Sequence, residues 1–243
     1  MYDIGLSRLE VLPHGVPDLD LVDSSLAKPA LGLAGRPVLL SFGLLGPGKG
    51  YELAIDALPA IVREVPDVCY VVLGATHPNL IRREGEAYRR SLVERTEALG
   101  MADHVRFVDR FVSLGELGRW LQAADVFVTP YPNLDQIVSG TLSYAMGAGR
   151  AVVSTPYAYA AELLADGRGQ LVPPGSPAAL ADAVADLLRD PRRRAAMGRR
   201  AYEHSRPMVW REVGAAYARV FERVASTTPV ALVAGAAMSP IRV

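Results

Sequence analysis

The sequence predicts an α/β fold built on a doubly wound parallel sheet, and three observations carry that prediction. Between Pro37 and Val172 short apolar runs alternate with amphipathic helical stretches, the pattern of a parallel sheet covered on both faces. Six of those runs have strand character, which suits one such sheet. Two of them lead through glycine-rich or small polar turns into helices, the place where sheets of this kind bind ligands.

The expected strands are Val38 to Phe42, Cys69 to Leu73, Val105 to Val108, Val126 to Thr129, Ala151 to Ser154 and Gln170 to Val172. Helices are expected over about Tyr51 to Val65, Gly85 to Leu99, Leu114 to Ala123, Gly140 to Ala148, Pro177 to Leu188, Pro191 to Glu203 and Met208 to Val224. Asp190-Pro191 reads as an N-cap followed by proline in the first turn. Residues 1–36 hold one short apolar run, Leu9 to Leu12, closed by Pro13-His14-Gly15-Val16-Pro17, and read as a linker-like segment. The expected division is therefore 1–36 linker-like, 37–204 sheet domain, 205–226 terminal helix, and 227–243 a small, apolar, uncapped tail or linker.

Composition excludes several classes. Half of the 243 residues are hydrophobic, enough for one large core or two modest ones. With 26 basic and 26 acidic residues the net charge is zero, which argues against a partner held mainly by charge, such as nucleic acid or an anionic membrane. Cys69 is the single cysteine, so neither an intrachain disulfide nor a cysteine-based metal site is expected. No apolar run approaches the roughly 18 residues of a membrane span, and Met1 to Gly5 has no basic n-region followed by an apolar stretch. A cytoplasmic protein without an integral membrane segment is expected. The four histidines form no spaced set with Asp or Glu, so no metal site is predicted.

The first chemical motif is Gly43-Leu44-Leu45-Gly46-Pro47-Gly48-Lys49-Gly50, between the first strand and its helix. Gly43, Gly46 and Gly48 let backbone approach a ligand, the helix start offers free N–H groups, and Lys49 adds a full charge. A diphosphate suits that loop. The run nearly matches a P-loop, but Gly50 replaces the Ser or Thr that holds magnesium, which makes a standard ATPase or GTPase a poor fit. A tight turn carrying a solvated lysine is the plainer alternative.

The second motif is Asp135-Gln136-Ile137-Val138-Ser139-Gly140-Thr141-Leu142-Ser143-Tyr144-Ala145-Met146-Gly147-Ala148-Gly149, after the strand Val126 to Thr129. It sets another helix start at the carboxyl edge of the sheet, so two helix ends face one ligand. An ordinary N-cap by Ser139 or Thr141, with small residues for close packing, is equally open.

The order of these features resembles the GT-B glycosyltransferases, specifically the large retaining family, glycosyl transferases group 1, in which sucrose synthases and mannosyltransferases sit. The resemblance spans about residues 9–225. Leu12-Pro13-His14-Gly15-Val16 resembles the interdomain lead-in, Phe42-Gly43 through Lys49-Gly50 the phosphate loop, and Ala124 to Tyr131 the strand before the signature loop. Ala145 to Gly149 with Ala151-Val152-Val153 resembles the helix and strand after it, and Gly167 to Pro174 with Ala178 to Leu187 the closing segment.

The resemblance implies a Rossmann-like C-terminal half of a GT-B fold. It implies transfer of a sugar from a nucleoside diphosphate sugar to a glycan or small-molecule acceptor, with retained configuration, no cofactor and no obligatory metal. Lys49 would sit on the donor phosphates, and the N–H groups near Ser139, Gly140, Thr141 and Leu142 would hold the distal phosphate. Two departures stand out: Leu44 occupies the position of the family's arginine, and Gln136 and Tyr144 occupy those of its two signature glutamates. Asp135, one residue early, supplies a carboxylate if the loop shifts. Asp135, Gln136 and His14 are the catalytic candidates, and Tyr131, Tyr144, Glu162 and Arg82 candidate sugar or nucleotide contacts.

Each of the lesser candidates has a bland alternative. His14 also fits a turn histidine bonded to backbone. The run Arg82, Arg83, Glu84, Glu86, Arg89, Arg90 fits a solvated, salt-bridged face. Glu162, expected near the start of a short helix, fits simple N-terminal charge stabilisation.

Complete GT-B enzymes have a second domain, for which residues 1–36 are too few. The terminal helix carries Trp210, Val213, Tyr217 and Phe221 at helical spacing, an apolar face suited to a missing N-terminal domain. Two other readings stay open: a non-catalytic nucleotide-sugar-binding module, and an epimerase-like enzyme of the same architecture.

Overall fold

In the computed structural model, which describes residues 9–227, six parallel strands form one sheet. They are β1 (Val38–Phe42), β2 (Cys69–Leu73), β3 (Val105–Val108), β4 (Val126–Thr129), β5 (Ala151–Ser154) and β6 (Gln170–Leu171), in the spatial order β3-β2-β1-β4-β5-β6. The order reverses between β1 and β4, which pair through Leu39 with Val126 and Leu40 with Phe127. The crevice at that reversal is where doubly wound sheets bind ligands. β6 ends one residue earlier than its sequence pattern, although the Val172 N–H still bonds the Ser154 carbonyl at 2.9 Å.

Alternation along the strands sends neighbouring side chains to two cores. Val38, Leu40, Val71, Phe127 and Val152 pack on one face, with Trp120 and Leu121 of α5 (Leu114–Ala123) and Leu142, Ala145 and Met146 of α6 (Gly140–Gly147). Leu39, Tyr70, Val72, Val128 and Val153 pack on the other. There they meet α2 (Tyr51–Glu64), α4 (Ala87–Ala98) and α8 (Pro177–Arg189). The remaining helices are α1 (Ser24–Ala27), α3 (Pro78–Glu84), α7 (Ala158–Leu163), α9 (Pro191–His204) and α10 (Trp210–Thr227).

The segment that reads as linker-like is packed onto this domain from residue 14 onward. Val16 is fully buried and bridges Val209, its N–H bonding the Met208 carbonyl at 2.8 Å and its carbonyl accepting from Trp210 N–H at 3.0 Å. Lys28, nearly buried, reaches Asp125 at 2.6 Å, and the same carboxylate accepts from Ser24 Oγ at 2.6 Å and from the Val38 N–H at 2.7 Å. One buried acid thus fixes α1 against the start of β4 and β1. The helix of the terminal segment begins at Trp210 rather than Met208, because a 3-10 turn, Arg206–Met208, and the Val16 bridge occupy the residues before it. On α10 Val213 is buried, whereas Trp210, Tyr217 and Phe221 are exposed. The tail 227–243 lies, beyond Thr227, outside the described residues.

Candidate functional site

Two turns build a cleft at the carboxyl edge, one on each side of the reversal. The first runs from Phe42 to α2 and is tied down by backbone hydrogen bonds. Leu45, fully buried, donates its N–H to the Ala75 carbonyl, and its own carbonyl accepts from His77 N–H, both at 2.9 Å. This zips the turn after β1 to the turn after β2. Gly50 caps α2 with φ +71°, and a Cβ there would stand 2.1 Å from the Pro130 carbonyl oxygen. Only glycine fits that contact, which explains why the P-loop's hydroxyl residue is absent. Gly46, Pro47 and Gly48 are left as an open lip, and Lys49 puts its ammonium 4.4 Å from the ring centre of Tyr131, within cation–π range.

The second turn runs from β4 to α6. Ser139 caps α6, its Oγ accepting the Leu142 N–H at 3.3 Å. Thr141 Oγ1 lies 2.9 Å from the Tyr131 hydroxyl and 3.2 Å from Ser139 Oγ. Tyr131 stacks on Tyr157, with ring centres 5.2 Å apart, so the ring that Lys49 meets is locked from behind. The N–H groups of Gly140 and Thr141 form the open first turn of the helix. Across the crevice, a Cβ on Gly43 would come within 3.5 Å of Thr141 Cγ2, so the two turns close on each other.

The resulting cleft has a volume of about 660 Å³ and is lined by Gly43, Leu44, Gly46, Pro47, Gly48, Lys49, His77, Asn79, Leu80, Asn133, Gln136 and Thr141. A cavity of 260 Å³ adjoins it, sharing Gly43 and Leu44 and walled by Phe42, Leu73, Phe111, Val112 and Leu117 with Arg110 at its margin.

The residues singled out in the sequence divide accordingly. Gly43, Gly46, Gly48, Lys49, Thr141 and Gln136 come together in the cleft. His14 joins them at the helix start: its Nε2 sits 2.8 Å from where a Gly140 Cβ would be, and its ring is 5.9 Å from that of Tyr144. His14 Nδ1 lies 2.8 Å from the Gly15 carbonyl, an acceptor only, so Nδ1 carries the proton in that bond. Leu142 is fully buried and its N–H is taken by the Ser139 cap. Ser139 is likewise buried as the cap.

Four expectations change. Asp135 is exposed in an Asx turn, its N–H bonding Asn133 Oδ1 at 3.0 Å, while the neighbouring Gln136 lines the cleft. Arg82 is exposed, bonded to Asn79 on its own helix, and does not line the cleft. Glu162 stands near the end of α7 rather than its start, exposed, so the helix end there offers no stabilisation to an acid. Arg89, expected in a solvated face, is buried and clamps the Gly74 carbonyl at 2.7 Å and Asp109 at 2.5 Å.

Asn79, Leu80 and Asn133 are cleft residues that the sequence did not single out, and His77 lines the cleft beside them. The available signal was His77-Pro78, a cap followed by proline: His77 Nδ1 accepts the Asn79 N–H at 3.1 Å and starts α3 at the cleft wall.

A sheet of this order, with two helix-leading turns facing across its reversal, defines a Rossmann-like domain of the GT-B kind. Residues 36–190 match the family model described as glycosyl transferases group 1, and the chain belongs to that family. A GDP-mannose-dependent α-(1-6)-phosphatidylinositol monomannoside mannosyltransferase of Mycolicibacterium smegmatis is 35% identical over 79% of the chain and 50% of its own length. A phosphatidyl-myo-inositol mannosyltransferase of Mycobacterium leprae is 31% identical over 93% and 56%. HepE of Anabaena, solved with UDP and glucose, superposes with a TM-score of 0.71 at 23% identity, over 84% of this chain and 52% of that one. The chain spans about half the length of the relatives it matches. Among the described residues, no helix is long and apolar enough to cross a membrane.

Proposed function

We propose that the cleft holds the diphosphate of a nucleoside diphosphate sugar, and that the chain is the donor-binding half of a retaining glycosyltransferase acting in the cytoplasm. The observation that carries this reading is the convergence of Lys49, the Gly46-Pro47-Gly48 lip and the open first turn of α6 on one cleft, from its two sides. A leaving diphosphate gains negative charge as the sugar departs, and a fixed ammonium and preoriented N–H groups aimed at that charge lower the barrier. The same groups stand in for a metal ion, so no resident metal is part of this reading. The adjoining apolar cavity takes the base. Gln136, at the rim, offers its amide to sugar hydroxyls.

The acceptor side comes from a second, N-terminal domain. Support for this lies in the span of about half the relatives' length and in the exposed apolar residues Trp210, Tyr217, Phe221, Leu9 and Val11. On this account the chain alone binds donor and transfers nothing. One observation favours a second reading, a binding module without catalysis: neither family glutamate is present, Gln136 and Tyr144 standing in their places. Family membership favours a glycosyltransferase over the epimerase-like alternative.

A thermal-shift panel of GDP, UDP, GDP-mannose and UDP-glucose tests the reading, followed by an assay for sugar release with and without a chelator. Stabilisation by at least one pair, unaffected by chelator, supports it. No stabilisation by any nucleotide contradicts it, and turnover to oligosaccharide by the chain alone removes the need for a second domain.

A further inference from the structure

Three residues stand first after their strands at the carboxyl edge: Gly43 after β1, Gly74 after β2 and Asp109 after β3. The first two continue the ladder of the sheet, the Gly43 N–H bonding the Leu73 carbonyl and the Gly74 N–H the Val108 carbonyl, each at 3.0 Å. Gly43 and Gly74 are also in backbone contact, for a Cβ on Gly74 would stand 2.0 Å from the Gly43 carbonyl oxygen. Whatever fixes Gly74 therefore bears on the residue that opens the glycine turn of the cleft.

Arg89, in the first turn of α4, holds Gly74 from behind. Its Nη2 donates to the Gly74 carbonyl at 2.7 Å and lies 2.5 Å from Asp109 Oδ1, which joins the loops after β2 and β3. Glu86, the cap residue of the same helix, accepts from Thr76 Oγ1 at 2.5 Å, and Thr76 bridges Leu45 of the glycine turn. The start of α4 thus grips the turn after β2 at two points, each against the turn after β1.

The guanidinium is poorly satisfied where it stands. Arg89 is 7% exposed, and its Nε and Nη1 have no hydrogen-bond partner among the described residues. Nε lies 3.4 Å from Glu86 Oε2, an ion pair without a hydrogen bond. Buried N–H groups without acceptors destabilise a fold, and apolar side chains of similar volume often serve as well or better where an ion pair is buried. Folding stability alone gives no reason for an arginine here. Its contacts do, because Gly74 meets the glycine turn and Asp109 leads into Arg110, Phe111 and Val112, which wall the adjoining cavity.

We infer that Arg89 is a positioning residue of the donor cleft: lining neither cavity itself, it holds Gly74 against Gly43 and the loop after β3 beside both, so that the glycine turn and the cavity wall keep one arrangement. The inference rests on the donor reading of the cleft proposed above.

Calorimetric titration with GDP and UDP, beside melting temperature and amide hydrogen exchange, provides the test. It is run on the unmodified chain, on Arg89→Met, and on Arg90→Met, an exposed neighbour that loses the same charge. Arg89→Met is expected to weaken the preferred nucleotide at least about fivefold, the effect of misaligned hydrogen bonds. It should also speed exchange of the Gly43 and Leu45 amides at least about tenfold, through local opening, while the melting temperature stays close to that of the unmodified chain. Arg90→Met should change none of the three. Arg89→Lys, which keeps the charge but reaches one loop at a time, replaces the methionine variant if that does not fold, and should lose affinity in the same direction. Affinity and exchange rates equal to those of the unmodified chain in a folded Arg89 variant, or a fall in melting temperature with affinity retained, would overturn the inference. If the unmodified chain binds neither nucleotide, the donor reading fails, and the exchange rates alone decide whether Arg89 positions the turn.

Discussion

Gly50 and Pro130 are in backbone contact across the reversal of the sheet: no side chain fits at residue 50 because the Pro130 carbonyl occupies its space. Gly50→Ser would complete a P-loop signature on paper. Here it is expected to create no magnesium site and to destabilise the fold by about 1 to 3 kcal/mol, from a clash combined with a left-handed φ. Denaturant unfolding of the variant, with and without magnesium and a nucleotide, checks this; unchanged stability would mean that the turn is not held as described.

Asp125 ties the lead-in to β1 through Lys28 and Ser24 on one side and the Val38 N–H on the other. Asp125→Ala strands a buried ammonium and should cost about 3 to 5 kcal/mol. Lys28→Met leaves the Asp125 carboxylate with Ser24 Oγ, the Val38 N–H and Arg194 at 3.5 Å as partners, and should cost clearly less. Equal losses in urea unfolding would show that these remaining partners do not compensate the carboxylate.

The four inner strands, β1, β2, β4 and β5, were legible because they are buried on both faces and therefore read as largely apolar runs such as Cys69-Tyr70-Val71-Val72-Leu73. The glycine turn was legible for the same local reason, since its positive φ values at Gly43, Gly48 and Gly50 demand glycine. The docking of residues 14–33 was not, because the burial of Lys28 depends on an acid 97 residues away. Helix α3 escaped notice because it buries no residue and shows no apolar period. The loop 133–138 resisted reading because its course is set by Leu134 and Gln136 carbonyls bonding Ala158 and Tyr159 N–H groups.

That loop course separates two neighbours. With Gln136 on the cleft and Asp135 outside it, Gln136→Ala should reduce the ratio of donor to nucleoside diphosphate affinity about fivefold, the worth of one hydrogen bond. Asp135→Asn should leave the ratio unchanged. The reverse pattern in competition titrations would mean that the loop shifts on binding, and no change in either would favour the non-catalytic module.

Alkaline stability follows from buried tyrosines. Burial raises the hydroxyls of Tyr51, Tyr70 and Tyr157 above their ordinary value. The unfolded chain then loses those protons first, near pH 10. Their stabilisation is complete below about pH 10 and is lost as pH rises toward the folded values, at up to about 1.4 kcal/mol per unit for each. Arg150, depressed to about 10, works in the opposite sense but is one group against three. Denaturation midpoints should fall from pH 10 to 11.5, and Tyr70→Phe should flatten that fall; a midpoint that does not move would contradict the burial of these hydroxyls.

The central claim is that Lys49 and the two helix-leading turns grip a diphosphate, and calorimetric titration with GDP and UDP of the unmodified chain beside Lys49→Ala tests it most directly. Loss of the ammonium should weaken the preferred nucleotide by about 1.5 to 3 kcal/mol, the range of a hydrogen bond to a charged group, with the melting temperature of the free chain unchanged. Equal affinity in the two chains would return Lys49 to a solvated turn and leave the cleft without its phosphate grip.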